Sequence, residues 1–497
     1  MEFELAADMQ TIAGLSRMKE LTACRDGRPR TQSVKIVWYD SPDHTLLAAG
    51  LTLAEQRGVR HVERVYPGAE TWLPAQPVPV VADPPELPSP LAPLAAFEGR
   101  QTTSVHRFGD QSVVVTVAKG VLRAVTAEQP AIRIWLSGED KAVRAAAVMI
   151  AGAGMVGVPI ASLAAEGIAL ATGHPAARRH EGAPALPAGP LSVIDALTHA
   201  LGHLIDVILA HAPAAGRQDS EGPEAVHQMR VAVRRARSAL SIFHAAVSDS
   251  APDAFGALLK DLGARLGPAR DWDVFADETL PAIRQALPDD ERLARLGAAA
   301  SRQRQACQKA LAAYLGGPAF RLLGIELAWF ASADVWHAPR VVSGEAESEQ
   351  PTLAAFAGPL LQHRWKKLVS LGKRIEELDI PSLHGVRLRA KRTRYAAEIF
   401  APLHQGKAAN RFIRRLSVLQ KHLGVLNDGA VATHLLAELG GPSGRHAYAT
   451  GIVIGFLAAR AAKIRPRIVR AFEKFRRQPV FWGLTAAVRL AIPKTNR

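Results

Sequence analysis

The strongest constraint on this chain of 497 residues is that part of it is written twice. His227, Arg230, Arg234 and Arg237 recur as His384, Arg387, Lys391 and Arg394, with the same 3, 4, 3 spacing and an offset of 157 residues. At ~100° per residue, each set spans a sector of roughly 80° on an α-helix and forms a cationic stripe along one face. The same offset pairs Arg235 with Arg392, Ala239 with Ala396, Ile242 with Ile399 and Phe243 with Phe400, so the helix body is repeated too. Further on, Phe255, Leu259, Leu262, Leu266, Gly267, Asp271 and Val274 match Phe412, Leu416, Leu419, Leu423, Gly424, Asp428 and Val431 without a gap. A duplicated helical unit accounts for both blocks, and the two copies should form bundles related by pseudosymmetry.

Charge separates this region from what precedes it. The formal net charge is +15, yet residues 1 to 189 hold 18 Lys and Arg against 19 Asp and Glu, leaving 43 against 27 in the rest. A near-neutral N-terminal part and a basic C-terminal part point to a polyanionic partner for the latter: nucleic acid, an anionic membrane or polyphosphate. The only cysteines, Cys24 and Cys307, exclude a disulfide framework and a cysteine metal site, and fit a reducing, cytoplasmic setting. The start, MEFELAADMQ, lacks a basic segment followed by an apolar run, so no secretion signal is expected. Residues 145 to 165 are too rich in Gly and Ala to span a bilayer, and 447 to 459 are too short; a buried helix is expected at the latter.

The N-terminal part alternates β-prone runs with turn signals: MEFELA, QSVKIVWYD, RHVERVY, QSVVVTVAKG, LRAVTA and AIRIWLSG. An antiparallel sheet or barrel follows, interrupted by a Pro-rich loop from Pro74 to Pro93. TGHPAARRHEGAPALPAGP, residues 172 to 190, reads as an interdomain linker. After Leu191 the period is helical, with breaks near 212–223, 249–252, 267–268, 288–290, 316–318, 338–351, 378–382, 402–406 and 440–444. These delimit about eight to ten helices. The resulting organisation is residues 1–172 as a first domain, 173–190 as linker, 191–485 as a helical domain and 486–497 as a tail.

A single basic helix is ordinarily a solvated face with acids from its neighbours, but two equivalent stripes change the reading. Each runs ~15 Å, and pseudosymmetry lets both face one groove, where unpaired like charges repel unless an anion neutralises them. Arginine offers forked donors that match phosphate oxygens, Lys391 a point charge, and His227 and His384 further donors. A further basic face, Arg460, Lys463, Arg467, Arg470 and Lys474, contains Pro466, which should kink or break the helix near 465. For that face, and for Arg364, Lys366, Lys367, Lys373 and Arg374, solvated surface and ligand contact are equally open. LGPARDWDV (266–274) and LGVLNDGAV (423–431) are expected where one helix gives way to another, with Asp271 and Asp428 capping a helix or orienting a stripe arginine. The helical part has no Gly-rich P-loop, HExxH or GxSxG motif and assembles no acid, base and nucleophile.

HQMRVAVRRARSALSIF, LGPARDWDV, HGVRLRAKRTRYAAEIF and LQKHLGVLND resemble the signature segments of the CHAD domain, over about residues 191 to 485. The resemblance implies an all-helical domain of two four-helix bundles that binds inorganic polyphosphate through a basic surface or channel and can localise to polyphosphate granules. Its basic positions carry over to His227, Arg230, Arg234, Arg237, His384, Arg387, Lys391 and Arg394, with Arg235, Arg270, Arg392 and Lys421 as weaker matches.

The N-terminal part resembles a CYTH domain, the triphosphate tunnel fold, in EFELA, WYDSPDHTLLAAGLTL and SLAAEGIAL. Active members use an ExExK strand whose glutamates hold a divalent metal and whose lysine engages phosphate. Here Glu2 and Glu4 remain as vestigial metal candidates, but Ala6 stands at the lysine position. Ala54 and Gln56 replace alternating arginines, and Thr116 and Arg133 stand where acids are expected. Loss of both metal ligands and phosphate donors removes the electrostatic basis of phosphoanhydride hydrolysis. The expectation is therefore an α+β chain: a degenerate CYTH-like barrel serving as scaffold, and a noncatalytic helical domain that needs no cofactor. Its partner is inorganic polyphosphate, together with granule proteins; a metal-dependent triphosphatase acting through the barrel and a nucleic-acid-binding module are the alternatives, and no membrane span is expected.

Overall fold

The computed structural model describes residues 1–65, 75, 81, 84–152, 154–173, 182–187, 190–217, 219–247, 250–332, 334–336, 352–404 and 406–483. The N-terminal part is one antiparallel sheet. Its strands are β1 (Glu2–Ala7), β2 (Arg25–Asp40), β3 (Leu51–Gln56), β4 (Val59–Arg64), β5 (Ala92–Phe108), β6 (Gln111–Ala124), β7 (Glu128–Gly138) and β8 (Val156–Gly157). They lie in the order β4-β3-β2-β5-β6-β7-β1-β8. Period-two burial gives the sheet two covered faces. Val113 and Val115 of β6, with Leu5 and Leu136, pack under α4 (Asp140–Ala151), whereas Ala118, Leu122 and Phe97 pack under α5 (Leu163–Thr172). Short helices α1 (Met9–Arg17), α2 (Lys19–Ala23) and α3 (Thr45–Ala48) complete this part.

The barrel expectation is corrected. Edge strands β4 and β8 do not pair, so among the described residues the sheet is open. With only two residues, β8 is too short to close a ladder. Long strand β5 and the first half of β2 carry no clear strand signal in the sequence, because their alternation is diluted by Thr, Gln, Arg and Gly. The Pro-rich stretch falls partly outside the described residues, and β5 begins at Ala92, inside its expected end.

Beyond residue 190 every described element is helical: α6 (Val193–Ala215), α7 (Gly222–Phe243), α8 (Ser250–Val274), a π-helical turn (Phe275–Thr279), α9 (Leu280–Arg284), α10 (Glu291–Leu315), α11 (Pro318–Ser332), α12 (Leu353–Leu371), α13 (Ile380–Phe400), α14 (Ala408–Glu438) and α15 (Ala447–Arg476), with short 3-10 turns. Local chemistry sets several starts. Ser192 and Asp195 form a capping box on α6, Asp379 accepts from Ser382 N on α13, and Asp290 accepts from Arg292 N and Leu293 N on α10. The repeated apolar positions form the core: Phe255, Leu259, Leu262 and Leu266 on α8, and Phe412, Leu416, Leu419 and Leu423 on α14, are all buried. Repeat partners Phe243 and Phe400 meet each other edge-on, ring centroids 5.8 Å apart.

Three expected interruptions do not occur. Gly267 and Pro268 lie inside α8, Gly424 inside α14 and Pro466 inside α15. Burial of one face on a neighbouring helix outweighs the single hydrogen bond that each proline removes. The expected break at 338–351 lies outside the described residues, apart from what flanks it. Residues 447–459 form no buried helix: on this stretch of α15 Gly451, Ile454, Gly455, Ala458 and Ala459 are exposed, with Ala449 and Val453 turned inward. By length and composition α6 and α15 could each cross a membrane, but α6 is a core helix with 83% of its apolar window buried, against 22% for α15.

The two parts share one hydrophobic cluster that runs from Phe3 and Leu5 through α4 to α6 and α11. Arg144 of α4 pairs with Glu326 of α11 (2.8 Å) and stacks over Trp329 (4.7 Å), whose indole N–H donates to Asp140 O (2.8 Å). Within the expected linker, Leu186 is buried and Ala185 O contacts His199 Nε2 at 2.7 Å.

Candidate anion-binding groove

The two stripes face one cavity of about 380 Å³. α7 contributes His227, Arg230 and Arg234; α13 contributes Arg387, Lys391 and Arg394; Arg270 and Lys421 enter from α8 and α14. The 157-residue offset carries into the walls. Arg230 and Arg387, Arg234 and Lys391, Arg270 and Asn427, Asp271 and Asp428, Val274 and Val431, Phe275 and Ala432, and Glu278 and Leu435 all line the cavity as repeat partners.

Some of these cations are matched by acids. Arg230 Nη1 donates to Asp271 Oδ1 (2.8 Å) and to Gly267 O (2.6 Å), so Asp271 orients a stripe arginine rather than capping a helix. Arg270 pairs with Glu278 at 3.4 Å, and Arg394 with Glu398 at 3.2 Å. Glu398 also takes Arg235 (3.1 Å), bracing α7 against α13, and both arginines lie against the Tyr395 ring. Arg235 is thus a structural tie and does not line the cavity.

Arg234, Arg387 and Lys391 have no carboxylate in salt-bridge range among the described residues, and the Nε atoms of Arg234 and Arg387 are buried without a hydrogen-bond partner. Burial and the adjoining charges of Arg387, Arg234, Arg394 and Arg230 lower the Lys391 pKa to about 7. Burial pulls the Arg387 guanidinium down as well, opposed by Asp428 and reinforced by Arg234. His227 is held below the ordinary imidazole range by burial and by Arg270, Arg234 and Arg230, with Glu224 pulling the other way. Asp428 is raised by burial within the concave wall, although its side chain is reached by solvent there, while Arg387 draws it down. A cluster that disfavours its own charges in this way is one that an anion would relieve.

Besides Arg235, three expected positions stay outside: Arg237, His384 and Arg392 are exposed and do not line the cavity. The repeat is therefore not symmetric at the groove, which uses the histidine of the first copy and the last arginine of the second. Sequence reasoning missed Glu278, Ser417, Gln420 and Asn427. The offset itself could have supplied Asn427 as partner of Arg270, whereas Ser417 and Gln420 match Lys260 and Gly263 and carry no such signal. In the second basic cluster, Arg364 donates to Arg392 O (3.1 Å) and Ser241 O (3.0 Å), which makes it a tie between helices; burial, Arg392 and Arg389 lower its pKa to about 10.

In the sheet, Glu4 does not stand free for a metal. Arg133, 3% exposed, lies between Glu4 (3.1 Å) and Glu166 of α5 (2.6 Å) and donates to Ile132 O (3.1 Å). Glu2 and Thr116 line a separate cavity of about 390 Å³ whose other walls include Val34, Phe97, Trp135 and Gln56. The divalent metal implied by the CYTH resemblance does not fit this donor set, since a guanidinium already takes up the charge of Glu4. No group of three or more His, Cys, Asp or Glu side chains suited to a metal occurs among the described residues.

The chain matches the family model of the CHAD domain over residues 199–437. The crystal structure of the CHAD domain from the plant Ricinus communis is 31% identical, covering 59% of this chain and 96% of that one with a TM-score of 0.49. PptA from Streptomyces chartreusis is 18% identical, covering 57% of this chain and all of that one (100%) with a TM-score of 0.42. No curated protein matches. The family match runs through the helices that carry the groove: residues 199–437 are a CHAD domain, and the chain belongs to that family.

Proposed function

We propose that this chain binds inorganic polyphosphate in the groove between α7 and α13, without catalysis. The observation that supports this is the convergence of Arg234, Arg387 and Lys391 on one cavity with no carboxylate in salt-bridge range among the described residues. Arg234 and Arg387 present forked donors to phosphate oxygens, Lys391 a mobile ammonium, and His227 a ring N–H. The groove has no nucleophile with an adjacent base, so its chemistry is charge neutralisation along a chain. Of Phe, Tyr and Trp, only Phe275 lines the wall and it is buried, so the groove presents no phenyl, phenol or indole face for base stacking. We read the helical region as two pseudosymmetric four-helix bundles meeting at Phe243 and Phe400, and the sheet as a degenerate CYTH-like scaffold in which Arg133 takes the place of the metal. Attachment to polyphosphate granules in the cytoplasm belongs to the same proposal.

Titration of the full chain with long-chain polyphosphate tests it. Reversing Arg230, Arg234, Arg387 and Lys391 together should abolish binding, and undiminished binding would overturn the reading. Affinity should fall steeply with salt as counterions are released. DNA at equal phosphate concentration should compete poorly; equal competition would favour a nucleic-acid module. Release of phosphate from tripolyphosphate with Mg²⁺ or Mn²⁺, lost in Glu4→Ala, would restore the triphosphatase alternative.

A further inference from the structure

A second run of positive charge leaves the groove at Lys421. α14 and α15 pack side by side, with Arg415 Nη1 donating to Lys474 O (2.7 Å). Along α15, Arg460, Lys463, Arg467, Arg470 and Lys474 are all exposed. Their 3, 4, 3, 4 spacing keeps them on one face for roughly 21 Å at ~1.5 Å per residue. The helix is unbroken at Pro466, so this face is continuous.

The packing of α14 on α15 brings the run alongside the groove wall. Arg460 acts on Asp428 in the cavity wall. Burial lowers the His422 pKa, and the charges of Arg467, Lys421 and Arg470 push it the same way. None of the five α15 cations has an ion-pair partner among the described residues. Glu473, the acid within this stretch, is taken by Arg476 (2.8 Å) and Arg477 (3.4 Å) on the outer side. Neighbours three and four residues apart lie well inside the ~8 Å screening length of physiological salt, so their repulsion persists in the empty protein. A solvated structural face normally interleaves acids to relieve this; here the residues between these cations are apolar or basic apart from Glu473.

We propose that this face of α15, reached past Lys421, is a second track for a linear polyanion, engaged only by chains long enough to extend beyond the groove. The inference rests on the polyphosphate reading and adds to it a preference for chain length. Short phosphate oligomers occupy the cavity alone; long chains also run along α15.

The test compares tripolyphosphate with long-chain polyphosphate on the full chain, with the triple variants Lys463→Glu/Arg467→Glu/Arg470→Glu and the milder Lys463→Gln/Arg467→Gln/Arg470→Gln. Long-chain affinity should fall at least about tenfold and its log–log salt slope should become shallower by about 2–3, in line with the loss of three phosphate contacts. Tripolyphosphate affinity should not change. Unchanged affinity for both ligands, or equal loss of both, overturns the track. The control Arg387→Glu/Lys391→Glu should lose both ligands; if it retains both, the groove reading fails, and the α15 variants then judge the track by long-chain binding alone. All substituted α15 positions are exposed, and circular dichroism before titration verifies the fold.

Discussion

Arg133 in the sheet and Arg387 in the groove are both arginines drawn away from bulk water, and only one has its charge answered. Arg133 lies between two carboxylates and a backbone carbonyl. Arg387 has no ion-pair partner among the described residues, Asp428 acting on it only at longer range, and adjoins Arg234 and Lys391. A matched buried charge holds the fold together, because removing one partner strands the other. An unmatched one lowers the stability of the empty protein and is useful only to something that arrives from outside. The same contrast recurs within the repeat: Arg230 is held by Asp271 at 2.8 Å, while its counterpart Arg387 makes no such bond to Asp428.

The contrast can be broken most directly at Arg133. Arg133→Met should cost about 3–5 kcal/mol in urea denaturation, since it leaves Glu4 and Glu166 facing each other, with polyphosphate affinity of the folded fraction unchanged. Within the groove, Arg387→Met should weaken polyphosphate binding about tenfold to a hundredfold with no loss of thermal stability, and Arg230→Met should weaken it less, because Asp271 already neutralises that guanidinium. An equal loss at the two positions by calorimetric titration would remove the asymmetry.

Lys391 gives the next effect. Its pKa of about 7 in the empty groove lies below the unfolded value of ~10.4. Between these the unfolded chain holds a proton that the folded chain has released. Its contribution is therefore least favourable below pH 7 and improves as pH rises through that window. A bound anion favours the ammonium, so binding above pH 7 takes up a proton and affinity falls by up to ~tenfold per pH unit there; Lys391→Arg should flatten the profile. The smallest expected change is Asp271→Asn, which frees Arg230 and should raise affinity by roughly twofold to fivefold at low salt.

The groove was legible because a 157-residue offset and a 3, 4, 3 spacing specify which face each cation occupies, and helical geometry then decides that Arg234 and Lys391 are equivalent. What the offset cannot convey is which end of each stripe meets the partner helix. His384 and Arg237 carry the same pattern as His227 and Arg394 yet stay exposed, because that choice depends on how α7 crosses α13. Breaks were over-read at Gly267–Pro268 and Pro466, where local propensity argues against helix and packing of the opposite face prevails. In the sheet, the ExE pattern singles out Glu4 as a metal candidate, whereas the structure ties it to Arg133, 129 residues away and beyond the reach of any local rule.

The shared core of sheet and helices bears on how this chain can change over time. α11 sets Trp329 and Phe330 beneath Arg144 of α4, and the Trp329 indole donates across the junction to Asp140 O. Deleting residues 1–172 would turn that wall into an exposed apolar surface of the kind that drives aggregation. The helical domain is thus tethered to its neighbour by solubility, and a sheet with its carboxylates locked around Arg133 is kept whether or not it has chemistry of its own. Calorimetry should accordingly show a single unfolding transition, with no separate melting of the sheet.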